Sequence, residues 1–369
     1  MNKVLSFAKS NAMVLIAWAL AIASTFFVPP DKEYVGYFDF ATLACLFLTL
    51  LVVGAFTGIH TFEIASRRIV AKLGNARRLI LAVVFITYVG SMILANDMAL
   101  ITFLPLGWLS LKNCGKQKYT AFTFIMQNIA ANLGGMLTPF GNPQNLYLYS
   151  YFKIPTGEFF LIMLPPFAVS LVLIIACCMF IKPEPLSLEG DEEFKFNLKR
   201  TVIYSVLFVV SILAVFRIFP WYYALVGVGI AVLILDYRAY ARVSYSLLLT
   251  FCAFFVFSGN VARIEAVSNV LSSLTAQNTL LTGVLSCQFI SNVPTAVLLS
   301  RFATDYAQLL VAVNIGGVGT LIASLASLIT FNKYRAVQPG KTLRYVLEFS
   351  AFNFGFLIIL VGLELLLFL

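Results

Sequence analysis

Nine stretches of the chain read as membrane spans: 12–28, 37–56, 119–151, 159–181, 200–217, 221–235, 244–258, 306–331 and 345–368. A span takes about 20 apolar residues. The run at 244–258 is short but apolar throughout. The long run at 119–151 is interrupted between Gly134 and Asn145. Two further apolar regions, 79–110 and 278–304, are too short to cross twice. They carry Asn96-Asp97 and Ser291-Asn292 at their centres. Each is expected to enter the membrane, turn at its polar tip and leave on the side it came from. Such a hairpin is tolerated only where its tip is buried in protein or wet. Segments 57–78 and 259–276 mix apolar with charged positions (Ile59, Phe62, Ile64, Ile69 and Val70 with Glu63, Arg67, Arg68 and Lys72 in the first). They are expected along the interface.

The pattern occurs twice. Each half runs span, span, amphipathic segment, hairpin, broken span, final span. Asn132-Leu133-Gly134-Gly135 in the first broken span matches Asn314-Ile315-Gly316-Gly317 in the second, and Phe56-Thr57-Gly58 matches Phe257-Ser258-Gly259. The expected fold class is an all-α polytopic membrane protein of two inverted-topology repeats. Nine transmembrane helices are joined by two re-entrant hairpins, and two of the helices are broken. The first repeat takes residues 1–181, with hairpin 79–110 and broken helix 119–151. A cytoplasmic loop and connecting helix take 182–220. The second repeat takes 221–369, with hairpin 278–304 and broken helix 306–331.

Composition agrees. Of 369 residues, 61% are hydrophobic and 11% charged, and the mean hydropathy is +0.94. Soluble domains carry about 25% charge. The net charge of +9 reads as topogenic Lys and Arg rather than a nucleic-acid surface. With the N-terminus inside and nine spans alternating, twenty cations fall in the cytoplasm. Lys32, Lys153, Arg217, Arg263 and Arg301 alone fall outside. The bias holds only if both hairpins are re-entrant, and the second then opens from the opposite side to the first. This places a multi-pass protein in the cell inner (cytoplasmic) membrane, with the lipid bilayer as its first partner. The apolar run after Lys3 and Lys9 lacks a small-residue cleavage site and reads as a first span. Six scattered cysteines with no metal spacing read as small buried hydrophobes. The acidic loop with Glu184, Glu189, Asp191, Glu192 and Glu193 reads as a solvated linker. Glu63 and Glu265 are expected to pair with Arg67 or Arg263, and Glu348 and Glu364 to reach the interfaces. His60 reads as interfacial.

Asp97 is the sharpest single residue. A carboxylate near the bilayer centre costs at least about 2.5–3.5 kcal/mol on insertion scales. It therefore reads as a cation ligand, a proton carrier or both. Asn96, Ser291, Asn292 and Thr295 supply neutral oxygens and amides at the tips. Helix N-termini meeting there attract anions, and unwound carbonyls suit sodium. Pro294 is expected to end a helix, having no N–H to donate. Gly134-Gly135 and Gly316-Gly317 allow close backbone approach and unwinding. The sequence has no Walker loop, nucleophile elbow or zinc spacing, so no enzyme is expected and no cofactor is needed. The energy source is expected to be an ion gradient.

Asn96-Asp97, Thr138-Pro139-Phe140-Gly141-Asn142-Pro143-Gln144-Asn145 and Ser291-Asn292-Val293-Pro294 resemble signatures of the ion transporter superfamily. That group includes citrate transporters, divalent-anion:sodium symporters, arsenite permeases and sodium/proton antiporters. The resemblance covers nearly the whole chain. It implies a scaffold and a transport domain per protomer, usually in a homodimer, moving like an elevator. It also implies a substrate-binding set of Asn96, Thr138, Asn142, Asn292, Pro294, Thr295 and Thr320. The implied cation set is Asn96, Asp97, Gly134, Gly141, Ser291, Asn292, Gly316 and Gly319. The chain departs from the dicarboxylate pattern at Asp97 and Val293, where threonine would stand, and is short for the group. The expected function is symport of a small anionic substrate, a di- or tricarboxylate, coupled to sodium or proton. Arsenite efflux or sodium/proton antiport on the same fold is the alternative. A membrane-embedded enzyme would need a dyad or metal cluster, and a channel a continuous polar helix face. Neither shows in the sequence.

Overall fold

The computed structural model describes residues 12–61, 64, 73–186 and 197–368. The chain is an all-α polytopic membrane protein. Among the described residues seven helices are long and apolar enough to cross a membrane. The first half holds α1 (Ala12–Thr25), α2 (Phe40–Gly58), α3 (Ala76–Leu94), α4 (Asn96–Asn113), α5 (Thr120–Gly134), α6 (Pro143–Tyr151) and α7 (Thr156–Met179). Helix α8 (Leu198–Val215) leads into α9 (Trp221–Asp236), α10 (Tyr245–Arg263), α11 (Glu265–Gln277), α12 (Thr279–Ile290), α13 (Asn292–Leu299), α14 (Tyr306–Ile315), α15 (Leu325–Val337) and α16 (Thr342–Leu367).

The first interrupted span breaks where glycine and proline cluster, and the second breaks at glycines alone. In the first, α5 stops at Gly134, a single 3-10 turn runs to Leu137, and α6 restarts at Pro143 with Asn142 as its cap residue. In the second, α14 stops at Ile315 and α15 restarts after Ser324, whose hydroxyl accepts from the Ser327 N–H. Asn142 and Ser324 hold equivalent places when Asn132 is aligned with Asn314. The Ser324 cap satisfies a backbone donor that lipid could not, whereas Asn142 holds the N-cap position without a side-chain bond to its own helix.

The halves interlock. Helix α1 packs along α10 and α2 along α9. Helix α4 packs against α15 and α6 against α13. Each half's first two helices therefore pack on those of the other half, and each hairpin tip-bearing helix lies on the restarted helix of the other. Close approach sets α5 on α3: a Cβ on Gly134 would run into the Tyr88 carbonyl oxygen. Tyr88 in turn bonds Phe167 O at 2.8 Å and Ser170 Oγ at 2.9 Å on α7.

Several expectations change. The first hairpin is longer than 79–110. Its arms have 19 and 18 residues, about 28 Å each, so α3 is of span length. The sequence boundary fell short because Arg77 and Arg78 lie inside its first turn, with the Asn75 cap accepting from Arg78 N. The second hairpin is short, with arms of 12 and 8 residues, about 18 and 12 Å. Segment 259–276 divides between the end of α10 and α11. Residues Phe62, Glu63, Arg67, Arg68, Ile69, Val70 and Lys72 lie outside the described residues, as do Glu189, Asp191, Glu192 and Glu193. Arg263 pairs not with Glu265 but with Asp31 at 2.7 Å and Glu33 at 3.5 Å, both in the α1–α2 connection. Glu364 does not reach an interface; it is 2% exposed within α16.

Glu184 is also not a plain solvated residue. It takes Lys116 at 2.8 Å, Lys118 at 2.6 Å and the Tyr119 hydroxyl at 2.8 Å, tying the end of α7 to the α4–α5 turn. Those donors push its carboxyl down to about 2. A depressed carboxylate stabilises the fold above its unfolded value of 4.5 and loses that contribution as pH falls toward 2. Glu184→Gln should therefore melt below the parent protein at pH 7, and the two melting curves should converge between pH 4.5 and pH 2. A gap that stays constant with pH would contradict the clamp.

Candidate functional site

The two hairpins turn in the same way. Ala95 has φ 62° and ψ 151°, and Ser291 has φ 72° and ψ 156°. Non-glycine residues rarely hold this conformation, which costs on the order of 1–3 kcal/mol. The next residue is asparagine in both. The Asn96 side-chain oxygen accepts from the Asp97 N–H, and that of Asn292 from the Val293 N–H, each at 2.9 Å. Each tip asparagine thereby caps the first turn of its own helix and holds the strained turn in place.

The tips meet. Asn96, Asp97, Ser291, Asn292 and Val293 line one small cavity of about 10 Å³ together with Pro143, Leu325, Leu247 and Thr250. That volume admits about one water-sized species. Four helices begin here: α4 at Asn96, α13 at Asn292, α6 at Pro143 and α15 at Leu325. Each helix N-terminus carries about half a positive charge. Four of them around one space favour an anion.

Buried amides join the first tip to both breaks. Asn96 Nδ2 donates to Asn132 Oδ1 at 3.3 Å. Asn142 Nδ2 donates to Asn132 O and Asn314 Oδ1, each at 3.2 Å. Asn314 Nδ2 donates to Asn145 Oδ1, and Asn128 Nδ2 reaches Ser327 Oγ at 3.3 Å. The network crosses between the halves and is fixed mainly by residues that bond in both directions.

The unwound carbonyls are largely taken. Gln288 Nε2 donates to Gly316 O at 2.9 Å and Val318 O at 3.2 Å, while its Oε1 accepts from Thr320 N at 2.9 Å. Asn145 Nδ2 does the same in the first break, donating to Gly135 O, Met136 O and Thr138 O at 3.4, 3.1 and 3.2 Å. Thr138 Oγ1 donates to Met92 O at 2.8 Å, and Thr320 Oγ1 to Gln288 O at 2.9 Å. Met92 and Gln288 each stand three residues before their tip turn, so both threonines pin a break to the neighbouring hairpin arm.

The sequence-predicted residues therefore divide. Asn96, Asp97, Ser291 and Asn292 line the shared cavity, and Asn142 stands just before α6 beside it. Thr295 Oγ1 donates to Ser291 O at 2.8 Å. Pro294 sits in the first turn of α13 rather than ending a helix, because a missing N–H costs nothing there. Gly134 packs under Tyr88. Gly141 crosses close against Gly135, and Gly319, at φ +126°, lies against the Gln288 side chain. The Gly316 carbonyl serves Gln288. Three buried oxygens near the tips and first break have no partner: Asp97 Oδ1, Asn142 Oδ1 and Gln144 Oε1. All are acceptors, the donor set a cation or a proton would use. Gln288, Asn128 and Ser327 were not anticipated. A polar residue inside an apolar helical run was the available signal.

The citrate transporter (CitMHS) family model matches residues 4–326. The chain belongs to this citrate transporter family. It is a multi-pass membrane transporter. It is 32% identical over 301 residues to the uncharacterized transporter MJ0456 of Methanocaldococcus jannaschii, covering 79% of this chain and 80% of that protein. It is 30% identical over 319 residues to the inner membrane protein YbiR of Escherichia coli K12, covering 84% of each.

Removing Gln288 tests the account of the second break. Gln288→Ala leaves Gly316 O, Val318 O and Thr320 N without this partner, at a cost on the order of 3 kcal/mol. Purified variant protein should show a matching loss of denaturation resistance in detergent. An unchanged unfolding midpoint would show that these groups find other partners.

Proposed function

We propose that this transporter carries a small anion, a di- or tricarboxylate, in symport with sodium or a proton taken at Asp97. The observation that carries the reading is the shared cavity, where four helix N-termini and two asparagine tips surround one carboxylate. The N-termini and the Asn96 and Asn292 amides suit an anionic oxygen. Asp97 opposes it while charged. A cation or proton on Asp97 removes that repulsion, so ion and anion bind with a shared coupling free energy. Coupling energies of 1–3 kcal/mol correspond to about 5–150-fold in affinity.

The space between the tips is too small for citrate, so binding requires the tips to part. The crossed pairs α1–α10 and α2–α9 would form the fixed scaffold. The hairpins and broken helices would move together against it, in the manner of an elevator. The matching turns, caps and threonine ties of the two halves support an inverted repeat.

One observation favours a second reading. Among the described residues Asp97 is the only carboxylate lining the cavity, with one oxygen unpaired. This suits sodium/proton antiport on the same fold.

Proteoliposomes carrying the purified protein should take up labelled citrate or succinate when a sodium or proton gradient is imposed, and not without one. Asp97→Asn should lose at least ten-fold of the gradient-driven uptake while eluting as a folded particle. Retained gradient dependence in that variant contradicts the role of Asp97. Sodium-driven proton movement with no carboxylate uptake would establish the second reading, and currents of channel size would exclude a carrier.

A further inference from the structure

A second, larger cavity lies away from the tips. It measures about 420 Å³ and opens at the end of the bundle where α2 begins and α8 ends, within the size range of small-molecule sites. Its floor is apolar: Cys45 on α2, Leu146 on α6, and Ala214 and Val215 on α8 are all buried. Its rim is different. Lys153 and Arg217 stand there with Trp221 and Ser150.

Neither cation has an acidic partner among the described residues. Arg217 donates to the Ile154 carbonyl and lies over the Tyr149 ring at 4.3 Å, which fixes its guanidinium beside the opening. Lys153 and Arg217 both have left-handed backbones, φ 51° and 60°. The ends of α6 and α8 turn sharply at these residues and bring both charges to the one rim. Cations near helix C-termini also satisfy the dipole. That role needs neither an apolar chamber nor a shared mouth. The positive-inside pattern makes the placement more telling: these are two of the five cations expected on the side that such charges avoid. Trp221, Tyr222 and Tyr223 open α9 at the same level, as aromatic residues do at the headgroup boundary.

We propose that this cavity binds one anionic phospholipid, with its phosphate between Lys153 and Arg217 and the upper part of an acyl chain on the floor formed by α2, α6 and α8. An apolar chamber beneath a cationic rim at headgroup level has the polarity of that molecule. A soluble anion would use the rim and leave the floor wet. Because α6 restarts at the first break and α2 and α8 flank it, the lipid wedges the joint between them. This inference does not depend on the cargo.

The test is native mass spectrometry of the full chain released from nanodiscs of mixed phosphatidylglycerol and phosphatidylcholine. The parent protein should retain one phosphatidylglycerol in preference to phosphatidylcholine. Lys153→Gln with Arg217→Gln should lower that retention by roughly five-fold per charge removed. Ala41→Trp, which narrows the chamber and keeps both cations, should also displace the lipid. Millimolar glycerol 3-phosphate should fail to compete in the parent protein. Equal retention of the two lipids by the parent overturns the proposal. So does undiminished phosphatidylglycerol in either variant, or full displacement by glycerol 3-phosphate. If the double variant does not fold, the lipid preference of the parent and the Ala41→Trp result still decide.

Discussion

The structure depends on satisfying backbone polar groups where a membrane helix is interrupted. Lipid offers no hydrogen bonds, and each orphaned group costs several kcal/mol. Two breaks and two strained turns at the centre of one bundle would be untenable without internal partners. Asn145 and Gln288 supply them: one amide in each half bonds two or three carbonyls of the adjacent unwound stretch. Thr138 and Thr320 then fasten each break to its hairpin arm. The tips are held at their meeting point by this polar frame. Their free groups are consequently few, and those few define what the site can bind.

The halves match in backbone and differ in chemistry. Both tips turn through the same unusual φ and ψ, and both use asparagine to cap the following turn. One residue later the first tip has Asp97 and the second Val293. The first hairpin arm has Met92 where the second has Gln288. A symmetric cradle of helix N-termini thus contains one carboxylate, placed on one side. On the proposed reading this asymmetry makes anion binding depend on what neutralises Asp97. The second break, with its carbonyls held by Gln288, then serves as structure.

Much of this was legible in the sequence. The spans follow from apolar length, and the breaks from Gly134-Gly135 with Pro139 and Pro143 and from Gly316-Gly317. The pairing of Asn96 with Asn292 follows from the repeated pattern. The boundaries of the first hairpin were not legible, because Arg77 and Arg78 look like the end of an apolar run yet sit in the first turn of α3. Pro294 illustrates a second limit: a proline beside a break can stop one helix or start the next, and only the tip turn at Ser291 decides which. Gln288 and Asn128 illustrate a third. A single amide in an apolar run has no periodicity, and its partners on other elements lie 28 to 225 residues away. Arg263 shows the same limit for a charge, since its partners Asp31 and Glu33 lie in the distant α1–α2 connection.

The most direct test of the account is the structure of the protein determined by electron cryo-microscopy with saturating citrate. The account predicts density for a carboxylate between Asn96 and Asn292, with the two tips farther apart and Asp97 beside the bound group. Density for citrate elsewhere in the bundle, with the two tips still closed on each other, would contradict it.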